Sequence, residues 1–110
     1  MNTSSGARGG WAVRDLTSVM FRNLDPKAFE LSLTQEESLP LELIEVRSSN
    51  LPERAGVRSP FSVFFRGTPN RYLPQAMYPI RHPELCQHFI FIVPVAHEPA
   101  GTYIYQATFS

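Results

Sequence analysis

Apolar and polar residues alternate along much of this chain with a period of two, most densely from Pro60 to Ser110. Phe61, Val63 and Phe65 share one side of a run beginning at Pro60. Tyr103, Tyr105, Ala107 and Phe109 alternate with Thr102, Ile104, Gln106 and Thr108 in the last run. This period marks half-buried β-strands. Phe29, Leu31 and Leu33 against Glu30 and Ser32 predict another over 29–33. The pattern resumes from Leu39 to Val46, but the adjacent Leu43 and Ile44 invert its phase, which predicts a β-bulge or a strand covered on both faces. Glu42 and Glu45 are then expected on opposite faces. Leu73 to Ile80 reads as a strand interrupted by Pro74 and Pro79. Proline cannot donate to a ladder, so this strand is expected at an edge or broken. Phe89-Ile90-Phe91-Ile92-Val93 is apolar at every position and reads as a central strand buried on both faces.

The helical signal is confined to Trp11–Leu24. Leu16, Val19, Met20 and Leu24 share one helical face, Asp15 or Thr17 can cap the start, and Asn23 with Asp25-Pro26 ends it. Turns are expected at Gln35–Ser38, at Gly67–Asn70 and at His82–Leu85, with loops over 48–59, where Pro52–Ala55 can form a helical turn, and over 94–101. These elements predict a mainly β fold: a small six-stranded, mostly antiparallel barrel or sandwich with one short N-terminal helix. The Ser/Gly-rich stretch 1–10 reads as a flexible leader, and 11–110 as a single β-rich domain.

Composition narrows the function classes. The 110 residues are 43% hydrophobic with eight Phe, and a chain of this size buries roughly 65% of its unfolded surface. Ten basic residues, nine of them Arg, balance ten acidic ones. A neutral chain lacks the footprint of a nucleic-acid or anionic-membrane binder and resists self-association only weakly. Cys86 is the only cysteine, so no internal disulfide forms, and it reads as a small apolar residue. Residues 1–10 hold no apolar signal region and no run is long enough to span a membrane. The chain is therefore expected in the cytoplasm, unless it is exported by a route that reads no N-terminal signal.

No reaction motif stands out. His82, Glu84 and His88 are metal-ligand types, but Pro83 breaks the strand that would align the first two, and a turn accounts for them. No serine sits in a glycine-flanked elbow. The carboxylates read as solubility charges. Gly6–Gly10 follows no strand and makes no phosphate loop. No catalytic residue, metal or cofactor is expected. Arg66, Arg71 and Tyr72 around one turn and Arg81 and Glu84 around another are the candidate partner contacts, since Arg and Tyr favour protein interfaces. Against this, the arginines can simply pair with glutamates, and Tyr103 and Tyr105 can line the core with their hydroxyls at its rim. Single-stranded nucleic acid at the Arg66–Arg81 cluster is disfavoured by the neutral charge.

Several segments together carry a resemblance: Phe61-Ser62-Val63-Phe64-Phe65-Arg66-Gly67; Leu73-x-Gln75-x-x-Tyr78-x-Ile80-x-His82-Pro83-Glu84-Leu85; Phe89 to Val95; and Tyr103-x-x-Gln106-Ala107-x-Phe109. Over Leu16–Phe109 the chain resembles a family of small bacterial proteins of unknown function, often encoded near phage-tail-collar-like proteins. The resemblance implies an accessory or structural role in an assembly and no catalytic residue. It also implies glycine in many relatives at the place of Cys86. Gln75, His82 and Pro83 lie in its most specific segment. They are expected to be structural, with Gln75 bonding a backbone group across a strand and His82 pinning the turn to a main-chain carbonyl. The expected function is a non-enzymatic structural or protein-binding module, with a protein partner or self-association. A small barrel enclosing an apolar ligand is the alternative.

Overall fold

The computed structural model describes residues 15–48 and 60–109. The expected leader, the start of the helix at Trp11 and the turn at Pro52–Ala55 lie outside them. Within them run helix α1 (Ser18–Arg22) and strands β1 (Ala28–Ser32), β2 (Ser38–Ser48), β3 (Phe61–Arg66), β4 (Ala76–His82), β5 (Cys86–His97) and β6 (Tyr103–Phe109). The strands close into an antiparallel barrel in the order β1-β2-β3-β6-β5-β4. No helix among the described residues is long and apolar enough to cross a membrane.

The barrel interior is filled by the inward half of each alternation: Leu31, Leu41, Val63, Phe65, Ile80, Ile92, Tyr105 and Ala107 are at most 2% exposed. One end is closed by α1. Thr17 caps it, its hydroxyl accepting the Met20 N–H at 3.2 Å. Phe21 is fully buried there, its ring 5.5–6.2 Å from those of Phe29, Phe61 and Phe109. Leu16 and Leu24 are buried as expected of the apolar face, but Val19 is exposed, because the helix is one turn long and docks through Phe21. The other end is covered by the segment 67–75. There the Tyr105 hydroxyl, at the rim, accepts the Leu73 N–H at 2.9 Å and donates to the Arg71 carbonyl. Burial raises the pKa of this phenol.

The expected phase flip in β2 is borne out, while several other strand-level expectations need correction. The register of β2 on β3 shifts between Leu43 and Glu45, so the phase flip is a bulge. The inserted residue turns Glu45 to the side of Glu42: Glu42 lies opposite Arg66 and Glu45 opposite Phe64, both outward. β5 is not covered on both faces. Ile90 and Ile92 point inward and are buried, whereas Phe89 and Phe91 point outward at 59% and 46% exposure. β5 also runs through Pro94 to His97, because a second register shift, between Pro94 and Ala96, accommodates the proline. β4 begins at Ala76, leaving Leu73 and Pro74 in the preceding segment.

Candidate functional site

The β4–β5 connection holds the expected turn residues. The His82 carbonyl accepts the Leu85 N–H at 3.1 Å, with Pro83 at the first corner, where its fixed φ suits a turn. Cys86 then takes a left-handed φ of 63° to enter β5. The His82 ring is fully buried. Its Nδ1 accepts the Glu84 N–H at 3.0 Å, so its Nε2 carries the proton and donates to the Pro26 carbonyl at 2.7 Å. His88 is buried with Nε2 2.7 Å from the Leu85 carbonyl. The Glu84 side chain is exposed. His82, Glu84 and His88 therefore do not converge, and no three His, Cys, Asp or Glu side chains gather into a metal-holding group among the described residues. Gln75 departs from expectation: it is exposed at the bend before β4, and its side chain bonds no backbone group across a strand among the described residues.

The candidate contact arginines are each engaged by a carboxylate of the same chain. Arg66 forms a two-pronged pair with Glu98 (Nε–Oε1 2.9 Å, Nη2–Oε2 3.1 Å) and reaches Glu42 at 3.2 Å. Thr102 also donates to Glu98. The Arg66 guanidinium, and after it the Thr102 hydroxyl, hold the Glu98 carboxyl down at about 2, and the two carboxylates raise the pKa of Arg66. Arg71 pairs with Glu37 at 3.0 Å, and Arg81 with Glu30. Tyr72 is 54% exposed and sits edge-on to Tyr103, which stacks on His97 with centroids 4.2 Å apart. These residues do not form one surface. Arg66, Arg71 and Tyr72 lie at the barrel end where β3 finishes and β4 starts, Glu84 at the opposite end, and Arg81 on the wall between.

An exposed apolar surface lies elsewhere, on the outer face of β4 and β5. Met77 faces Phe91 across the ladder and Pro79 faces Phe89. Met77 is 60% exposed. Directly opposed side chains on one sheet face touch, so these four form a contiguous patch. Aromatic and Met side chains are the types enriched at protein contact surfaces.

Beside it the barrel wall opens. β1 and β4 pair only at Glu30–Arg81 and Leu31–Ile80. The reason lies in Pro79. The Leu43 N–H donates to the Lys27 carbonyl and the Leu33 N–H to the Glu37 carbonyl, so odd-numbered residues of β1 bond to β2 and even-numbered ones turn toward β4. The rung after Glu30–Arg81 is Ser32–Pro79, and Pro79 has no N–H to give the Ser32 carbonyl. The strands part there. The resulting cleft, of about 530 Å³, is lined by Ser32, Leu33, Thr34 and Gln35 on one side and Met77, Tyr78, Pro79 and Gln87 on the other.

Sequence reasoning missed Met77, Phe89 and Phe91. The signal was present: two Phe at alternating positions within a fully apolar run, in a chain whose helical signal is confined to Trp11–Leu24.

The family model of a domain of unknown function, DUF6916, matches residues 16–109. Neither a curated protein nor a solved structure matches the chain.

Proposed function

The chain belongs to the DUF6916 family, a domain of unknown function, and we propose that it is a non-enzymatic protein-binding module. The observation carrying this reading is the outward patch of Met77, Pro79, Phe89 and Phe91, whose exposure nothing in the fold requires. In support of it, the candidate residues already have partners within the chain: the His82 and His88 rings bond backbone groups, and Arg66, Arg71 and Arg81 pair with carboxylates. An accessory place in a tail-like or fibre-like bacterial assembly, which the sequence resemblance implies, is one setting for such a surface. A ligand held inside the barrel has less support, since buried side chains pack together in the interior and the cleft of about 530 Å³ opens on the outside.

A photo-crosslinking residue placed at Phe89 in cells that express the protein natively tests the reading. A discrete protein adduct is expected, absent when the crosslinker replaces exposed Glu84 at the barrel end. A chain that stays uncrosslinked from position 89, and monomeric by light scattering at high concentration, overturns it.

A further inference from the structure

We propose that the opened seam between β1 and β4 accepts an uncharged, extended segment of another protein chain, which adds a short strand to the free edge of β4. The inference rests on the protein-binding reading and specifies how a partner binds.

Three observations carry it. First, the backbone is presented. Successive residues of a strand turn their N–H and C=O alternately to either side. Arg81 bonds toward β1, so Pro79 and Met77 point the same way, and beyond Pro79 no β1 residue answers them. The Met77 N–H and C=O and the Ser32 C=O thus face the cleft. An exposed edge of this kind is the template for strand addition. Second, the lining selects chemistry. None of Ser32, Leu33, Thr34, Gln35, Met77, Tyr78, Pro79 and Gln87 is charged, and on the adjacent rung Glu30 and Arg81 already pair with each other, so a charged segment would lose hydration without gaining a free counter-ion. The side chains of an added strand alternate, one set falling beside Met77 and the exposed Phe patch. Third, the shape favours a single chain. Leu33, Thr34 and Gln35 stand across the cleft from the β4 edge, so an incoming strand must lie between two walls, which suits one extended segment better than a strand flanked by the rest of a second fold. The free stretch is short, so backbone pairing supplies few rungs and the apolar patch must add affinity.

The probe is a displayed library of hexapeptides lacking Asp, Glu, Lys and Arg, selected on the full chain. Peptides with apolar residues at alternate positions are expected. Met77→Pro removes the cleft-facing N–H while sparing the β5 ladder, as Pro79 already does two residues on. It should weaken the selected peptides about tenfold or more, as expected for a lost hydrogen bond. Met77→Ala keeps the N–H and should weaken them less. N-methylation of alternate peptide amides should have the same effect as Met77→Pro and needs no altered protein, should that variant fail to fold. An empty selection, or peptides that tolerate both Met77→Pro and N-methylation, overturns the proposal. Peptides lost with Phe91→Ser yet indifferent to Met77→Pro and N-methylation also overturn it, while leaving the protein-binding reading in place.

Discussion

The Nε2–H of His82 donates to the carbonyl of Pro26 across 2.7 Å, joining residues 56 positions apart. With the Nδ1 bond from the Glu84 N–H, one buried ring ties the α1–β1 connection to the β4–β5 turn. His82→Ala leaves both backbone groups without a partner, each worth about 1–3 kcal/mol when buried. The expected result is a fall in melting temperature of about 10 °C or more for a domain of this size, read by circular dichroism. An unchanged melting curve would show that the ring serves something other than the fold.

Acid should loosen the barrel end held by Arg66 and Glu98. The Glu98 carboxyl is lowered from 4.5 to about 2 in the folded protein, chiefly by its hydrogen bonds from Arg66. A depressed folded pKa means that the pair's stabilisation is fully present above about 4.5 and is lost as pH falls toward 2. In Glu98→Gln, denaturant midpoints measured between pH 6 and pH 2.5 should decline less steeply than in the wild type. Equal slopes would refute the assignment.

Neighbouring residues of β5 should respond oppositely to truncation. Phe91 is 46% exposed and Ile92 fully buried. Phe91→Ser should change stability by no more than about 0.5 kcal/mol, whereas Ile92→Ala should cost about 2–5 kcal/mol through the cavity it leaves. Urea denaturation of the two variants decides which face of β5 is the core.

Cys86 carries a φ of 63°, a conformation that costs a residue with a side chain about 1–2 kcal/mol. Cys86→Gly removes that cost and returns part of it as unfolded-chain entropy, about 0.5–1 kcal/mol. The expected net gain is a few tenths of a kcal/mol to about 1 kcal/mol relative to Cys86→Ala, which also lacks the thiol but keeps the strain. A glycine variant no more stable than the alanine one would contradict this.

What the sequence disclosed and what it hid follow from how far each signal reaches. Inward residues of β1, β3 and β6 were legible because a two-residue alternation is local, and the bulge in β2 was legible as the Leu43–Ile44 phase flip. The outward turn of Phe89 and Phe91 was not, because an unbroken apolar run reads the same whether its second face is covered or bare. The glutamate partners of Arg66, Arg71 and Arg81 lie 24 to 51 positions away, and no local pattern chooses them. Pro79 was read correctly as an obstacle to pairing. That the obstacle opens only half of one seam depends on which side of β4 its nitrogen faces, a consequence of the closed register.

Phe21 meets Phe29, Phe61 and Phe109, and β6 lies between β3 and β5. The last strand in the sequence is thus a middle stave of the barrel. Neither the ring of strands nor the aromatic plug at its end can be completed until β6 has joined. Contacts of such long sequence separation make folding slow, and while a nascent chain waits for β6 the edges of β3 and β5 stay open to mispairing. The cell must carry this domain through synthesis with its core unfinished until the final strand arrives.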